Sequence, residues 1–163
     1  MKVNKFSLPL ISFFVSSISL LLAYYFEVTF DLIPCDLCSK QRSIHFLIFF
    51  ISIITFLCMK LSFNFRFICK LIILLWISSM VISIYHFGIE QNFWLGFTEC
   101  SAKLSFDSDT LKTLLSQNPI RCQDVQFKIL NISLAGWNAF ISFSVFIILV
   151  YVLFVLKKDE YEK

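Results

Sequence analysis

Four long apolar segments, each bounded by charged residues, divide this chain of 163 residues. They cover residues 6–26, 43–59, 71–89 and 132–156, and an earlier start near Cys38 is the alternative for the second. A helix needs about 20 mostly apolar residues to cross a bilayer. The pattern therefore predicts an all-α, integral membrane four-helix bundle. We expect a single membrane domain over residues 1–163, with connecting loops at 27–42 and 90–131 that face outward.

Composition excludes several classes of protein. Apolar residues make up 58% of the chain and charged residues 15%, whereas a soluble domain has roughly 45–50% apolar and about 25% charged residues. A net charge of +3 is too small for a nucleic-acid binder, so no nucleic-acid partner is expected. The first apolar segment is longer than the 7–15 residues of a signal-peptide core, and we expect it to remain as a membrane anchor.

The distribution of basic residues predicts the orientation in the membrane. Eight of the 14 Lys and Arg residues lie in the N-terminus, the short 60–70 connection and the C-terminal tail. The two longer loops contain the other six over far more residues, together with eight acidic residues. Since basic residues are enriched in cytoplasmic segments, both termini are predicted to be cytoplasmic.

The second outer loop contains a candidate surface helix. Asp107 offers a helix cap, and Leu111, Leu114 and Leu115 follow at helical spacing before Pro119 ends the pattern. A short amphipathic helix of this kind could lie on the membrane surface. A polar loop with scattered leucines explains the same residues equally well.

The predicted orientation separates the six cysteines into two groups. Cys58 and Cys69 lie at the cytoplasmic ends of the second and third segments, where we interpret them as apolar filler. The outer loops contain the other four, Cys35, Cys38, Cys100 and Cys122. An even number on an oxidising side is typical of disulfides. A zinc site is the alternative, but zinc ribbons usually have two close cysteine pairs, and 21 residues separate Cys100 from Cys122. No metal is expected.

The C-x-x-C pair at Cys35 and Cys38 lies directly before an apolar helix. The sequence indicates that this helix begins after Cys38, so that its positive end would stabilise a Cys38 thiolate. Arg42 lies one turn further along the same face and adds a positive charge, although Asp36 opposes it. Arg42 could equally be a basic residue that anchors a span at the interface.

His86 lies just inside the outer end of the third segment. A histidine at this depth usually faces protein or a cavity, so it could bind a polar ligand or satisfy a neighbouring helix. Glu90, one turn further, is a candidate partner.

With two cysteine pairs at different depths, electrons could pass from a soluble dithiol through the loop to an acceptor dissolved in the membrane. A membrane quinone would be a suitable acceptor, because it is apolar and can take two electrons.

Several motifs together resemble the DsbB family of bacterial disulfide-bond formation proteins. Residues 34–42, PCDLCSKQR, are similar to the family's P-C-x-L-C-x-x-x-R motif. Residues 85–91, YHFGIEQ, resemble the end of its third span, and 93–100, FWLGFTEC, its W-x-G-x-T-x-C motif. Residues 133–138, SLAGWN, resemble the start of its fourth span. Phe97 stands where the family more usually has proline, which bears on the shape of the loop.

The resemblance implies roles for these residues and an inner-membrane location with periplasmic redox loops. Cys38 would face a quinone, ubiquinone or menaquinone, and Arg42 would bind its carbonyl, with His86 as a possible further quinone contact. Cys35 would be the disulfide partner of Cys38 and would exchange with the outer pair. Cys100 would form the mixed disulfide with a DsbA-like thioredoxin-fold protein, and Cys122 would be its partner. Membrane lipid and its quinone pool complete the expected partners.

Three other functions fit parts of the pattern. A quinone-linked enzyme of the vitamin K epoxide reductase type also has a helical bundle with C-x-x-C, but there the motif follows a loop cysteine pair. A non-enzymatic four-span scaffold would keep its cysteines in structural disulfides. A carrier that exports reducing equivalents would need a cysteine pair on the cytoplasmic side, and Cys58 and Cys69 are not spaced as such a motif.

Overall fold

The computed structural model of the protein describes residues 6–58, 65–94, 122 and 125–161. These ranges contain four α-helices and one short hairpin: α1 (Ser7–Thr29), α2 (Asp36–Cys58), α3 (Phe65–Glu90), β1 (Lys128–Ile129), β2 (Ile132–Ser133) and α4 (Leu134–Tyr161). All four helices are long and apolar enough to cross a membrane. The chain is therefore an all-α, multi-pass membrane protein, as the apolar segments predicted.

The helices extend beyond the apolar segments that predicted them. Helix α2 begins at Asp36 rather than near residue 43, so the earlier start was the better alternative. Helix α4 begins at Leu134 rather than at residue 132, because Ser133 ends β2 and caps the helix. The Gly136 N–H donates to Ser133 Oγ at 3.2 Å, which is the bond expected of a capping serine. Apolar length locates a span in the bilayer, but the helix itself continues until a cap or a turn ends it.

A two-residue turn joins β1 to β2 directly before the start of α4. The strands are antiparallel, with Lys128 opposite Ser133 and Ile129 opposite Ile132. Leu130 and Asn131 have φ values of 52° and 65°, as a two-residue hairpin turn requires. The sequence did not predict this hairpin, because strands of two residues are too short for an alternating apolar pattern.

The bundle packs as consecutive antiparallel neighbours. Helix α3 packs most extensively against α4, α1 packs against α2, and α2 packs against α3, whereas α1 makes lighter contacts with α3 and α4. Its central core includes Leu8, Ile48, Ile72, Trp76 and Leu149, all fully buried. Large apolar side chains remain exposed around the outside. Such an inverted surface suits a bilayer and would be costly in water.

Polar side chains connect α2, α3 and α4 inside this core. His45 Nε2 donates to Asn138 Oδ1 at 2.9 Å, and Asn138 Nδ2 donates to Ser83 Oγ at 2.8 Å. The hydroxyls of Ser79 and Ser142 lie 3.0 Å apart. Lipid offers polar groups no alternative partners, so bonds of this kind help to select one packing of the helices.

Two predicted features lie outside the described residues. These are the surface helix at about 107–119 and the position of Cys100. The helix prediction therefore stays a prediction. Of the two cysteines assigned to the cytoplasmic ends, Cys69 is 1% exposed within the core, in agreement with its interpretation as apolar filler.

Candidate functional site

Cys35 caps the N-terminal end of α2. It follows Pro34, and the helix begins at the next residue, Asp36. The Cys38 N–H donates to Cys35 Sγ at 3.4 Å, which is the geometry of a side chain that caps a helix N-terminus. The sequence interpretation placed Cys38 before the helix, and this is wrong, because Cys38 lies in the first turn. The backbone amide at the positive end of α2 points to the sulfur of Cys35.

Three cysteines meet at this point. Cys35 Sγ lies 3.2 Å from Cys38 Sγ. Cys35 Sγ, Cys122 Sγ and His86 Nε2 all lie within 4.8 Å of one another. Cys35 is 8% exposed and Cys122 4%. Since disulfide exchange requires sulfur-to-sulfur contact, Cys35 is positioned to exchange with a cysteine on either side of it.

His86 faces the Cys35 sulfur from α3. Gln41 Nε2 donates to His86 Nδ1 at 3.5 Å, so the ring proton is on Nε2. That nitrogen lies 3.5 Å from Cys35 Sγ and 3.6 Å from Glu90 Oε1, which confirms the predicted contact between His86 and Glu90. Glu90 also accepts a hydrogen bond from Ser133 Oγ. This histidine therefore links Cys35 to the start of α4 through one carboxylate.

The surroundings of Cys35 favour its thiolate form. Hydrogen bonds from the thiols of Cys122 and Cys38, with a further hydrogen bond from His86, lower the pKa of Cys35 despite the opposing effect of burial. Hydrogen bonds to the charged form of an acid have this effect. A lowered pKa favours the thiolate of Cys35, which is the reactive form of a cysteine.

A cavity of about 570 Å³ lies beside the cysteines. Its wall is mostly apolar and comes from α1 and α4, with Phe26, Trp137 and Ile141 among its lining residues. Cys38 and Arg42 also line it. Binding sites for small molecules have this combination of an apolar wall and a few polar groups, in a volume of about 300–1,000 Å³. The cavity could hold a flat apolar ring with polar substituents.

Arg42 forms an ion pair with an acidic residue from α1. Its Nη2 lies 2.8 Å from Glu27 Oε2, and the two side chains are 29% and 26% exposed. Both residues line the cavity. The sequence interpretation considered Arg42 as a charge near the cysteines, as a membrane anchor and as a quinone contact, but it did not pair Arg42 with Glu27. The available signal was that Glu27 is the acidic residue at the outer boundary of the first apolar segment.

The same cluster contains ligand atoms suited to a metal ion. Within the described part of the chain, Cys35, Cys122 and His86 offer two sulfurs and an imidazole nitrogen close together, a donor set that suits zinc. The sequence argument against zinc considered cysteine pairs and did not include His86. A metal ion and a disulfide would compete for the same sulfurs, and the expectation of no metal stays a prediction.

The sequence named most of the residues that meet here, but not all. The structure brings together Cys35, Cys38, Cys122 and His86, with Arg42 at the adjoining cavity. Cys100 lies outside the described residues. Sequence reasoning missed Glu27, Gln41, His45 and Ser133, since each is a single polar residue whose partner comes from another part of the chain.

Comparisons with known proteins agree with these observations. The family described as "Disulfide bond formation protein DsbB" matches residues 5–152. An uncharacterized protein of Rickettsia prowazekii (strain Madrid E), RP370, is 27% identical over 158 residues, which cover 94% of this chain and 90% of that protein. The family match includes the C-x-x-C motif, His86, Cys122 and most of α4. The chain therefore belongs to the DsbB family of membrane disulfide-bond formation proteins.

Proposed function

We propose that the protein is a thiol oxidase of the bacterial inner membrane. It would take two electrons from a reduced DsbA-like, thioredoxin-fold dithiol protein in the periplasm and pass them to ubiquinone or menaquinone. The carrier would be oxidised to its disulfide, and the quinone would be reduced to quinol with two protons. The observation that supports this most is the position of Cys35, which lies between Cys38 and Cys122 beside an apolar cavity.

The proposed relay begins with two thiol–disulfide exchanges. A carrier thiolate attacks Cys100 in a Cys100–Cys122 disulfide, and Cys122 leaves as a thiolate. The Cys122 thiolate then attacks Cys35 in a Cys35–Cys38 disulfide, so that a Cys35–Cys122 bond forms and the electron pair goes to Cys38 Sγ. Afterwards the carrier's second thiolate displaces Cys100 from the mixed disulfide, and Cys100 bonds to Cys122 again and releases Cys35. The close approach of Cys35 and Cys122 supports the second exchange. Each exchange conserves the number of disulfides.

The cavity is the proposed quinone site. A bound quinone supplies the two-electron acceptor that the cysteines themselves lack. Cys38 lines the cavity and is the residue proposed to pass on the electron pair, while Arg42 would orient a quinone carbonyl. His86 also lines the cavity and lies 3.5 Å from Cys35 Sγ, so it would be a further quinone contact at the sulfur end of the site. The apolar wall would exclude water from the exchange.

The proposed topology follows the distribution of basic residues. Both termini would lie in the cytoplasm, and the loops that contain Cys35 and Cys122 would face the periplasm. All four redox cysteines would then be on the oxidising side, where disulfides persist. The whole chain would act as one membrane domain.

The test is quinone reduction by the purified full-length protein in detergent. The assay contains a reduced thioredoxin-fold dithiol protein and a soluble quinone, and it measures quinol formation together with carrier oxidation. We expect one quinol for each carrier disulfide formed. Cys38→Ser should abolish turnover, whereas Cys69→Ala, which removes a sulfur from the core and not from the site, should retain it.

The alternatives make different predictions in the same assay. A structural scaffold would yield no quinol with any carrier, and its cysteines would stay paired throughout. Turnover that is the same in Cys38→Ser as in the unchanged protein would exclude Cys38 as the donor to the quinone. Quinol formation without oxidation of a carrier would exclude a DsbA-like partner as the source of electrons.

A further inference from the structure

The segment that follows Cys122 is held against the loop that precedes Cys35. Gln126 makes two hydrogen bonds to the backbone of Ile33. The Ile33 N–H donates to Gln126 Oε1 at 3.1 Å, and Gln126 Nε2 donates to the Ile33 carbonyl at 2.9 Å. The amide of one side chain thus satisfies both backbone groups of a single residue, as a neighbouring strand would. Ile33 is two residues before Cys35, and Gln126 is four residues after Cys122.

Aromatic packing holds the same segment on its other side. The Phe127 ring lies 4.6 Å from that of Phe30 and 5.2 Å from that of Phe26, measured between centroids. Beyond it, Trp137 Nε1 donates to the Ile129 carbonyl at 3.1 Å. These contacts attach the segment to the ends of α1 and α4. The Gln126 amide is the contact that attaches it to the loop of the C-x-x-C motif.

We propose that Gln126 is a positioning residue that holds Cys122 against Cys35 for disulfide exchange between the two loops. This inference rests on the proposed function. In the exchange, the Cys122–Cys35 bond forms, the Cys35–Cys38 bond breaks, and Cys38 receives the electron pair. Gln126 contributes no electron and no proton. By holding the two loops together, it raises the effective concentration of the Cys122 sulfur at the Cys35 sulfur.

Gln126→Ala tests this inference because it removes both hydrogen bonds and leaves the Phe127 packing in place. Gln126 and Ile33 are both exposed, so the free energy of each hydrogen bond should lie at the low end of the usual range. We therefore expect the effective concentration of Cys122 at Cys35 to fall about fivefold. Gln126→Glu is nearly isosteric but loses the N–H donor and places a carboxylate against a carbonyl. It should be at least as impaired as alanine. If only the size of the side chain mattered, Gln126→Glu would exchange as well as the unchanged protein.

The first measurement needs neither a quinone nor a carrier. In a background of Cys38→Ser and Cys100→Ser, the fraction of protein with a Cys35–Cys122 disulfide is measured in glutathione buffers by thiol labelling and mass spectrometry. The effective concentration should fall about fivefold in Gln126→Ala. Leu130→Asn, at the exposed turn of the same segment, is the matched control and should not change it. An equal effective concentration in the parent and both Gln126 variants would overturn the inference.

The second measurement separates positioning from general damage. Turnover driven by the carrier needs exchange between the loops, whereas turnover driven by a small dithiol that reduces Cys35–Cys38 directly does not. Gln126 also lines the cavity, so both are measured at saturating quinone, where Gln126→Ala should lower the first about fivefold and leave the second unchanged. Equal loss in both would overturn a positioning role and indicate a structural one. If the unchanged protein reduced no quinone at all, the proposed function would fail, while the glutathione measurement would still decide whether Gln126 holds the two sulfurs together.

Discussion

Replacing His86 with alanine should make Cys35 less reactive at low pH. The substitution removes an N–H that lies 3.5 Å from Cys35 Sγ in a site where His86 is 2% exposed. A hydrogen bond to a charged group is worth about 1.5–3 kcal/mol. Because the thiols of Cys122 and Cys38 contribute more to lowering the pKa of Cys35 than His86 does, the lower end of that range applies. This corresponds to about a tenfold smaller thiolate fraction below the pKa.

The sign of the pH dependence follows from the thiolate being the reactive form. A pKa below the ordinary value keeps Cys35 reactive as the pH falls, until the thiol itself is protonated. Without the His86 N–H, reactivity should decline at a higher pH, and the two proteins should converge in alkaline solution, where both are deprotonated. His86→Gln can place an amide N–H near the position of Nε2 and should restore part of the reactivity.

The assay is modification of Cys35 in the fully reduced protein by a small thiol reagent. Rates are followed by mass spectrometry over roughly pH 5–9, which brackets the value near 8.5 of an ordinary cysteine. Cys69→Ala controls for modification in the core, and circular dichroism establishes that each variant is folded. The argument would be refuted if the unchanged protein and His86→Ala had the same pH profile of Cys35 modification. It would also be refuted if Cys35 reacted as slowly in His86→Gln as in His86→Ala.

Three further predictions use the proposed assay or the fold itself. Arg42→Ala should raise the quinone KM more than Arg42→Lys, because only arginine offers a planar fork of donors; equal KM values in all three proteins would reduce Arg42 to a membrane anchor. Cys100→Ser should abolish carrier oxidation while a small dithiol still drives quinone reduction through Cys35, and carrier oxidation at the normal rate would refute the relay. Gly88→Ala should displace Trp94, because an added Cβ would lie 2.0 Å from its Cζ2. The free energy of unfolding should fall by about 1–3 kcal/mol. Denaturation measures this change, and tryptophan fluorescence reports on the local environment. An unchanged unfolding midpoint would contradict the prediction.

The bundle was largely predictable because its determinants are local. Four apolar segments with charged ends were enough to predict four spans, since a bilayer imposes a minimum length on each. Helix ends were less predictable. Helix α2 begins at Asp36 because Cys35 caps it, and a cysteine is not among the residues usually expected at a cap. The start of α4 depends on Ser133 and on a hairpin of two-residue strands, which is too short to give a periodic signal.

The candidate site was predictable in many of its residues but in few of its contacts. Cys35, Cys38 and Arg42 belong to one motif, so their proximity follows from the sequence. The approach of Cys122 to Cys35 joins residues from two different loops, and no spacing in the sequence specifies it. The same is true of the pairing of Arg42 with Glu27.

The sequence by itself determined that this chain has four segments able to cross a membrane, and that the cysteines Cys35, Cys38, Cys100 and Cys122 lie in or next to the two longer connections between them. These properties depend on hydropathy and on order along the chain, both of which can be read without knowing how the helices pack. Only the tertiary structure decided which sulfur receives the amide at the start of α2, and that His86 faces it. Such contacts depend on the rotation and depth of each helix relative to its neighbours, which many residues at the helix interfaces set together.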